Sequence, residues 1–246
     1  MEIMLADAHC HIDMLGRDDI KDAINKGIFI MVTNSTDLES NIKNLALSDN
    51  INVFPALGVD PEAIISLSTS ALQDLISNID SLIENNNKKF VAFGEVGLDY
   101  ILAKSEAERE IQKKTFEHFI NLAVEYDKPL SIHSRGAINE VIKMLDKYSV
   151  KRAHFHYFEG DESHAKILNE LGYYISVPPI ESSKRNRAMR VLAMENIMAE
   201  SDAPAVGKTP IDIKNSLALI AKAKEISFDD AAKITFKNTK KFFSIL

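Results

Sequence analysis

The sequence predicts an α/β fold, a single TIM-type (β/α)8 barrel, on three observations. Short runs rich in Ile, Val, Phe and Leu alternate with longer amphipathic runs from one end of the chain to the other, and eight such units can be counted. Most of the short runs are continuously apolar, as strands of a parallel sheet covered on both faces require. The length, 246 residues, is that of such a barrel, in which functional groups sit at the carboxyl ends of the strands.

The first candidate strand, Ile3 to Asp7, runs into Asp7-Ala8-His9-Cys10-His11. The others are Ile28 to Asn34, Val53 to Gly58, Lys89 to Gly94, Leu130 to His133, Arg152 to His156, Tyr174 to Val177 and Ile197 to Glu200. Three intervening helices announce their starts by capping boxes, a hydroxyl followed three residues later by Glu or Gln: Thr36 with Glu39, Ser70 with Gln73 and Ser105 with Glu108. The third opens the longest helix, whose Ile111, Phe116, Phe119, Ile120 and Ala123 form an apolar stripe that ends before Pro129. No low-complexity linker, charge block or repeat divides the chain, so residues 1–246 are read as one domain.

Composition narrows the function. A single cysteine, Cys10, rules out internal disulfides and points to a reducing compartment, and no apolar segment has the length of a membrane span or the form of a signal peptide. The expected setting is the cytoplasm, with no membrane partner and a monomeric state. A net charge of −7 is the wrong sign for coating nucleic acid through an extended basic surface. A small anionic group remains acceptable if metal ions supply local positive charge.

Chemistry is concentrated where a barrel would place it. Alternation along the first strand sends Asp7, His9 and His11 to one side and Ala8 and Cys10 to the other. Asp60 follows the third strand, Glu95 the fourth and Asp202 the eighth, while His133 and His156 end the fifth and sixth. Taken singly, a histidine at a strand end is usually a hydrogen-bonded structural residue. Four of them converging with Glu95 and Asp202 make ligands for two metals, with Glu95 placed to bridge. His118 and His164 fall on helices, His154 is set opposite to His156 along its strand, and Cys10 reads as a small buried side chain. These four stay outside the site.

Five segments in order, Asp7-Ala8-His9-Cys10-His11-Ile12-Asp13, Gly94-Glu95-Val96-Gly97-Leu98-Asp99, Ile132-His133-Ser134-Arg135, Phe155-His156-Tyr157-Phe158-Glu159-Gly160 and Glu200-Ser201-Asp202-Ala203-Pro204, resemble the TatD-type metal-dependent deoxyribonucleases of the amidohydrolase-like barrels. The closing Asn238 and Phe242-Phe243 are similar to that family's last helix. The resemblance implies one divalent ion held by His9, His11, Glu95 and Asp202 and a second by Glu95, His133 and His156, the ions being Mg²⁺, Mn²⁺ or Zn²⁺. It further implies a two-metal-activated water with Asp202 as proton acceptor, cleavage of phosphodiester bonds at DNA ends in the 3′–5′ direction, and a phosphate contact from Arg135.

Two departures bear on substrate. Gly58-Val59-Asp60-Pro61 stands where the family usually has Gly-x-His-Pro, and because an ionised Asp60 repels phosphate, either Asp60 is protonated, or it binds a further metal, or the substrate differs. After Asp202 the family's longer basic loop is shortened to Ala203-Pro204-Ala205-Val206-Gly207-Lys208-Thr209-Pro210. Lys184, Arg185, Arg187 and Arg190, after the seventh strand, read either as a phosphate-holding loop or as a solvated helix start, and Tyr100, Tyr157 and Phe158 either as stacking platforms or as core. The rivals are a metal-dependent ester or amide hydrolase, such as one acting on an aminoacyl ester of RNA, and a non-catalytic metal- or partner-binding barrel.

Overall fold

The computed structural model describes residues 3–246. Eight strands, β1 (Leu5–Cys10), β2 (Ile28–Asn34), β3 (Val53–Leu57), β4 (Ala92–Gly97), β5 (Leu130–His133), β6 (Ala153–Phe155), β7 (Tyr174–Val177) and β8 (Ile197–Ala199), pair in parallel in the order of the chain. The helices between and after them are α1 (Arg17–Asn25), α2 (Leu38–Leu47), α3 (Pro61–Ile64), α4 (Thr69–Asn86), α5 (Glu106–Glu125), α6 (Ile138–Lys147), α7 (Glu162–Leu171), α8 (Ser183–Val191), α9 (Ile213–Lys224) and α10 (Phe228–Phe242). Among the described residues, no helix is long and apolar enough to cross a membrane.

The sheet curls into a nearly closed barrel, with no ladder joining β8 to β1 among the described residues. Residues beyond β8 close the seam instead. The Asp202 N–H donates to the His9 carbonyl at 3.0 Å, and the His11 N–H donates to the Ala203 carbonyl at 2.7 Å. Closure therefore runs through the segment that carries Asp202.

Three strands, β2, β5 and β7, have the bounds expected from their apolar runs, and β3, β6 and β8 are shorter by one or two residues. The other two, β1 and β4, lie farther along the chain, so that His9, Cys10 and Glu95 are inside strands rather than after them. The apolar run ends where the barrel lumen turns polar, yet ladder hydrogen bonds continue past that point. Two caps are also displaced. Helix α2 is capped by Asp37, whose carboxylate accepts the Ser40 N–H at 2.8 Å, and α4 by Ser68. Ser105 and Glu108 cap α5 reciprocally as expected.

Two cores follow from strand alternation. One lies between strands and helices and takes Phe116, Phe119, Ile120 and Ala123 from α5. The other fills the lumen with Ala6, Ala8, Ile30, Val32, Phe54, Ala56 and Met198, and Phe242 at the end of α10 and Phe243 just after it close it. Asn238 anchors that helix by donating to the carbonyls of Met194 at 2.9 Å and Ile197 at 2.7 Å.

Candidate metal centre

Strand β1 does not alternate evenly. Its register against β2 slips between Asp7 and Cys10, where three steps on β1 match two on β2. Such a bulge redirects side chains. His9 and His11 turn toward Glu95 and Asp202, Ala8 stays with the lumen cluster, and Cys10 joins the core outside the barrel. Asp7, expected beside the two histidines, is instead buried on the seam, where its carboxylate accepts the N–H and hydroxyl of Ser201.

The structure brings His9, His11, Glu95, His133, His156 and Asp202 together. Glu95 stands between two sets. Its Oε1 lies 2.8 Å from His133 Nδ1 and 2.8 Å from His156 Nε2, and its Oε2 lies 3.5 Å from the Nε2 atoms of both His9 and His11. Asp202 Oδ1 is 3.4 Å from His11 Nε2 and 3.8 Å from His9 Nε2. The Asp202 backbone is left-handed, φ 48°, a conformation held by its own seam hydrogen bond.

Burial and charge pull these groups in opposite directions. Burial and the neighbouring His156 push His9 down to about 4. Burial also acts to lower His11, but its hydrogen bond to Asp202 and the charge of Glu95 prevail and push it up to about 9. His133 behaves alike: burial is outweighed by hydrogen bonds to Asp99 and Glu95, and it reaches about 9. Glu95 is held well below the usual carboxylate range because the charge of His156 and the hydrogen bond from His133 overcome its burial.

The donor set fits divalent cations. His11 Nδ1 lies 3.0 Å from the Asn34 carbonyl and His133 Nε2 lies 2.9 Å from Asp99 Oδ2, so each must donate there. Their other ring nitrogens, when neutral, carry lone pairs. These lone pairs face carboxylate oxygens, and His9 Nε2 and His11 Nε2 stand 3.3 Å apart. Acceptor atoms that close repel unless a proton or cation lies between them. His9, His11 and Asp202 form one group whose ligand atoms lie within 4.8 Å of one another, and Glu95, His133 and His156 form another.

A cavity of about 390 Å³ opens above these residues, and Asp60, Glu62, Arg135, Glu159 and Tyr157 line it. Asp60 caps α3, its Oδ1 accepting the Glu62 N–H at 2.9 Å, and burial and then the charge of Glu95 raise its pKa to about 7. Arg135 is held by Asp99 Oδ2 at 2.6 Å and Glu62 Oε1 at 2.8 Å. From the shortened loop, Ala205 and Val206 reach the cavity. The basic group after β7 is largely structural. Arg185 is buried and donates to the carbonyls of Phe158 at 2.7 Å and Ile180 at 2.8 Å, and Arg187 pairs with Glu162 at 3.1 Å. Lys184 borders a neighbouring cavity together with Tyr100, and Phe158 is core.

His154 corrects the reading of its strand. Residues two apart share a side, so His154 and His156 both face the lumen, and His154 lies 3.3 Å from Ser131 Oγ and 2.6 Å from Ser176 Oγ. Glu200, Asp99 and Ser131 also touch site histidines without having been assigned a role. A polar residue inside an otherwise apolar strand was the available signal for Ser131 and Ser176.

Comparisons with known proteins agree with the fold and identify the family. The chain is 30% identical over 262 residues to human deoxyribonuclease TATDN3, covering 97% of this chain and 94% of that one. It is 29% identical over 255 residues to an uncharacterized metal-dependent hydrolase of Methanocaldococcus jannaschii, with 98% of each covered. The crystal structure of YjjV, a TatD homolog from Escherichia coli K12, superposes with a TM-score of 0.85 at 24% identity over 98% of both chains. The family model described as TatD related DNase matches residues 6–244, and the chain belongs to that family of metal-dependent hydrolases.

Proposed function

We propose that this protein is a monomeric cytoplasmic deoxyribonuclease, one domain over 1–246, that removes nucleotides from DNA ends in the 3′–5′ direction with two divalent ions, Mg²⁺, Mn²⁺ or Zn²⁺. The observation that carries it is Glu95, with Oε1 at 2.8 Å from His133 and His156 and Oε2 at 3.5 Å from His9 and His11. His9, His11, Glu95 and Asp202 would hold one ion, and Glu95, His133 and His156 the other. Two such ions lower the pKa of a water and neutralise charge developing on an attacked phosphodiester.

The chain's own residues supply the rest. Asp202, held on the seam at the edge of the cavity, accepts the proton given up by the attacking water. Arg135 presents its guanidinium to a substrate phosphate, oriented by Asp99 and Glu62. The human relative's name supports DNA as substrate.

The acidic mouth favours one alternative. Asp60, Glu62 and Glu159 line the cavity and disfavour a polyanion, which keeps open a metal-dependent ester or amide hydrolase acting on a less charged substrate. One assay separates the two. An end-labelled single-stranded oligonucleotide is incubated with Mg²⁺ or Mn²⁺, beside a chelated sample and Asp202→Asn. Shortening from the 3′ end that is lost in both controls, by at least about 100-fold in the variant, supports the nuclease. Intact DNA in metal-loaded protein rejects it in favour of the ester or amide hydrolase.

A further inference from the structure

Beneath the metal centre, a chain of buried polar side chains crosses the lumen. His9 Nδ1 lies 3.3 Å from Ser131 Oγ, and Ser131 Oγ lies 3.3 Å from His154 Nδ1. His154 Nε2 lies 2.6 Å from Ser176 Oγ, which in turn donates to Glu200 Oε2 at 2.6 Å. His9, Ser131, His154, Ser176 and Glu200 have no exposed surface. The chain then bends back to the site. His156 Nδ1, buried and otherwise unpartnered, faces the same Glu200 oxygen at 3.8 Å, and its ring stacks on that of His9 with centroids 3.9 Å apart.

Proton bookkeeping gives this chain one direction. A hydroxyl has one proton to donate, and Ser176 spends it on Glu200. His154 must therefore donate from Nε2 to Ser176. Its neutral ring then offers Nδ1 as an acceptor, which takes the Ser131 proton, so Ser131 can only accept from His9. His9 thus carries its proton on Nδ1 and keeps a lone pair on Nε2, the atom facing His11, Glu95 and Asp202. His156 presents Nδ1 to the same carboxylate at 3.8 Å and Nε2 to Glu95 at 2.8 Å.

We propose that Ser131, His154, Ser176 and Glu200 form a hydrogen-bond relay in which one buried carboxylate sets the tautomer of His9, and that His154 is a positioning residue for metal binding. The inference rests on the metal reading of the site. Removing a partner that orients a ligating histidine typically weakens metal affinity about 10–100-fold.

The test is calorimetric titration of metal-free protein with Mn²⁺ and Zn²⁺, together with ¹⁵N–¹H spectra of histidine-labelled protein, for wild type, His154→Val, His154→Gln and Ser176→Ala. Gln can donate toward Ser176 and accept from Ser131, whereas Val can do neither. We expect His154→Val and Ser176→Ala to bind the ions about tenfold or more weakly and to lose the pure Nδ1–H form of His9, and His154→Gln to recover most of both. Ser176→Ala removes little volume, so it still tests the relay if His154→Val does not fold. Wild-type affinity and an unchanged His9 tautomer in Ser176→Ala would overturn the relay while leaving the metal site standing. Equal weakening in all three variants with an unchanged His9 tautomer would assign His154 to packing and also overturn it. Failure of the wild type itself to bind either ion would reject the metal reading instead.

Discussion

The carboxylate of Asp7 accepts the Ser201 N–H at 2.9 Å and the Ser201 hydroxyl as well, across the seam where β8 and β1 form no ladder. One residue farther on, Asp202 makes its own seam bond to His9. The pair therefore ties barrel closure to the placement of the proposed proton acceptor.

Replacing Asp7 by Ala strands a buried N–H and a buried hydroxyl, at a cost of about 2–4 kcal/mol. Urea unfolding of metal-free protein should show this loss, and hydrolysis at saturating substrate should fall because Asp202 is no longer held. An unchanged unfolding midpoint would show that the seam is closed without Asp7.

Arg135 has one guanidinium edge on Asp99 and another on Glu62. Its planar fork matches a phosphate in a way that an ammonium does not. Arg135→Ala is expected to raise KM for an oligonucleotide about 10–100-fold, the worth of a charge-assisted hydrogen bond, and Arg135→Lys to recover only part of it. Initial rates against oligonucleotide concentration measure both.

Asp60 places a carboxyl group in the mouth of the cavity. Asp60→Asn keeps an oxygen to cap α3 and removes the negative charge that the carboxyl, pushed up to about 7, carries at pH 8, where the comparison is made. One charge acting across the mouth in partly screened surroundings is worth on the order of 1 kcal/mol, so KM for DNA should fall about fivefold with kcat little changed. A rise in KM would mean that Asp60 contacts the substrate favourably.

Ligands that bind only the folded state raise its stability. At about 100 times its Kd, a bound ion adds about 2.7 kcal/mol, or roughly 5–10 °C in Tm for a chain of this size. Melting curves of chelated protein with and without Mn²⁺ or Zn²⁺ should differ by at least that much, and substitution of His11 by Ala should shrink the difference.

Away from the site, Asp49 accepts the N–H groups of Ile51 at 2.9 Å, Asn52 at 2.8 Å and Val53 at 2.9 Å. Partial burial works against its charge, but the three N–H groups prevail and hold the carboxyl below its usual range. A carboxyl lowered by folding stabilises above about pH 4 and loses that contribution as pH falls toward its folded value. The stability advantage of wild type over Asp49→Asn should therefore be present at pH 7 and close below about pH 4 in urea titrations.

The sequence by itself determined the barrel, because alternating apolar runs report burial directly and eight of them in 246 residues leave little other architecture. It also showed His9, His11, Glu95, His133, His156 and Asp202 as one set, since each lies at the carboxyl end of its strand. Tertiary structure alone decided how that set is held. The bulge that separates Asp7 from His9 is a matter of register against β2. Arg185 turned inward because carbonyls of Phe158 and Ile180 needed a donor, and nothing in its run of basic neighbours showed that. The relay beneath the site joins residues from β1, β5, β6, β7 and the segment after β8; Ser131 and His154 are paired by strand register, and the link from His9 on β1 to Ser131 on β5 exists only once the sheet has curled. Local pattern reports which residues are buried, whereas hydrogen-bond partners are chosen by what the closed barrel brings within about 3 Å.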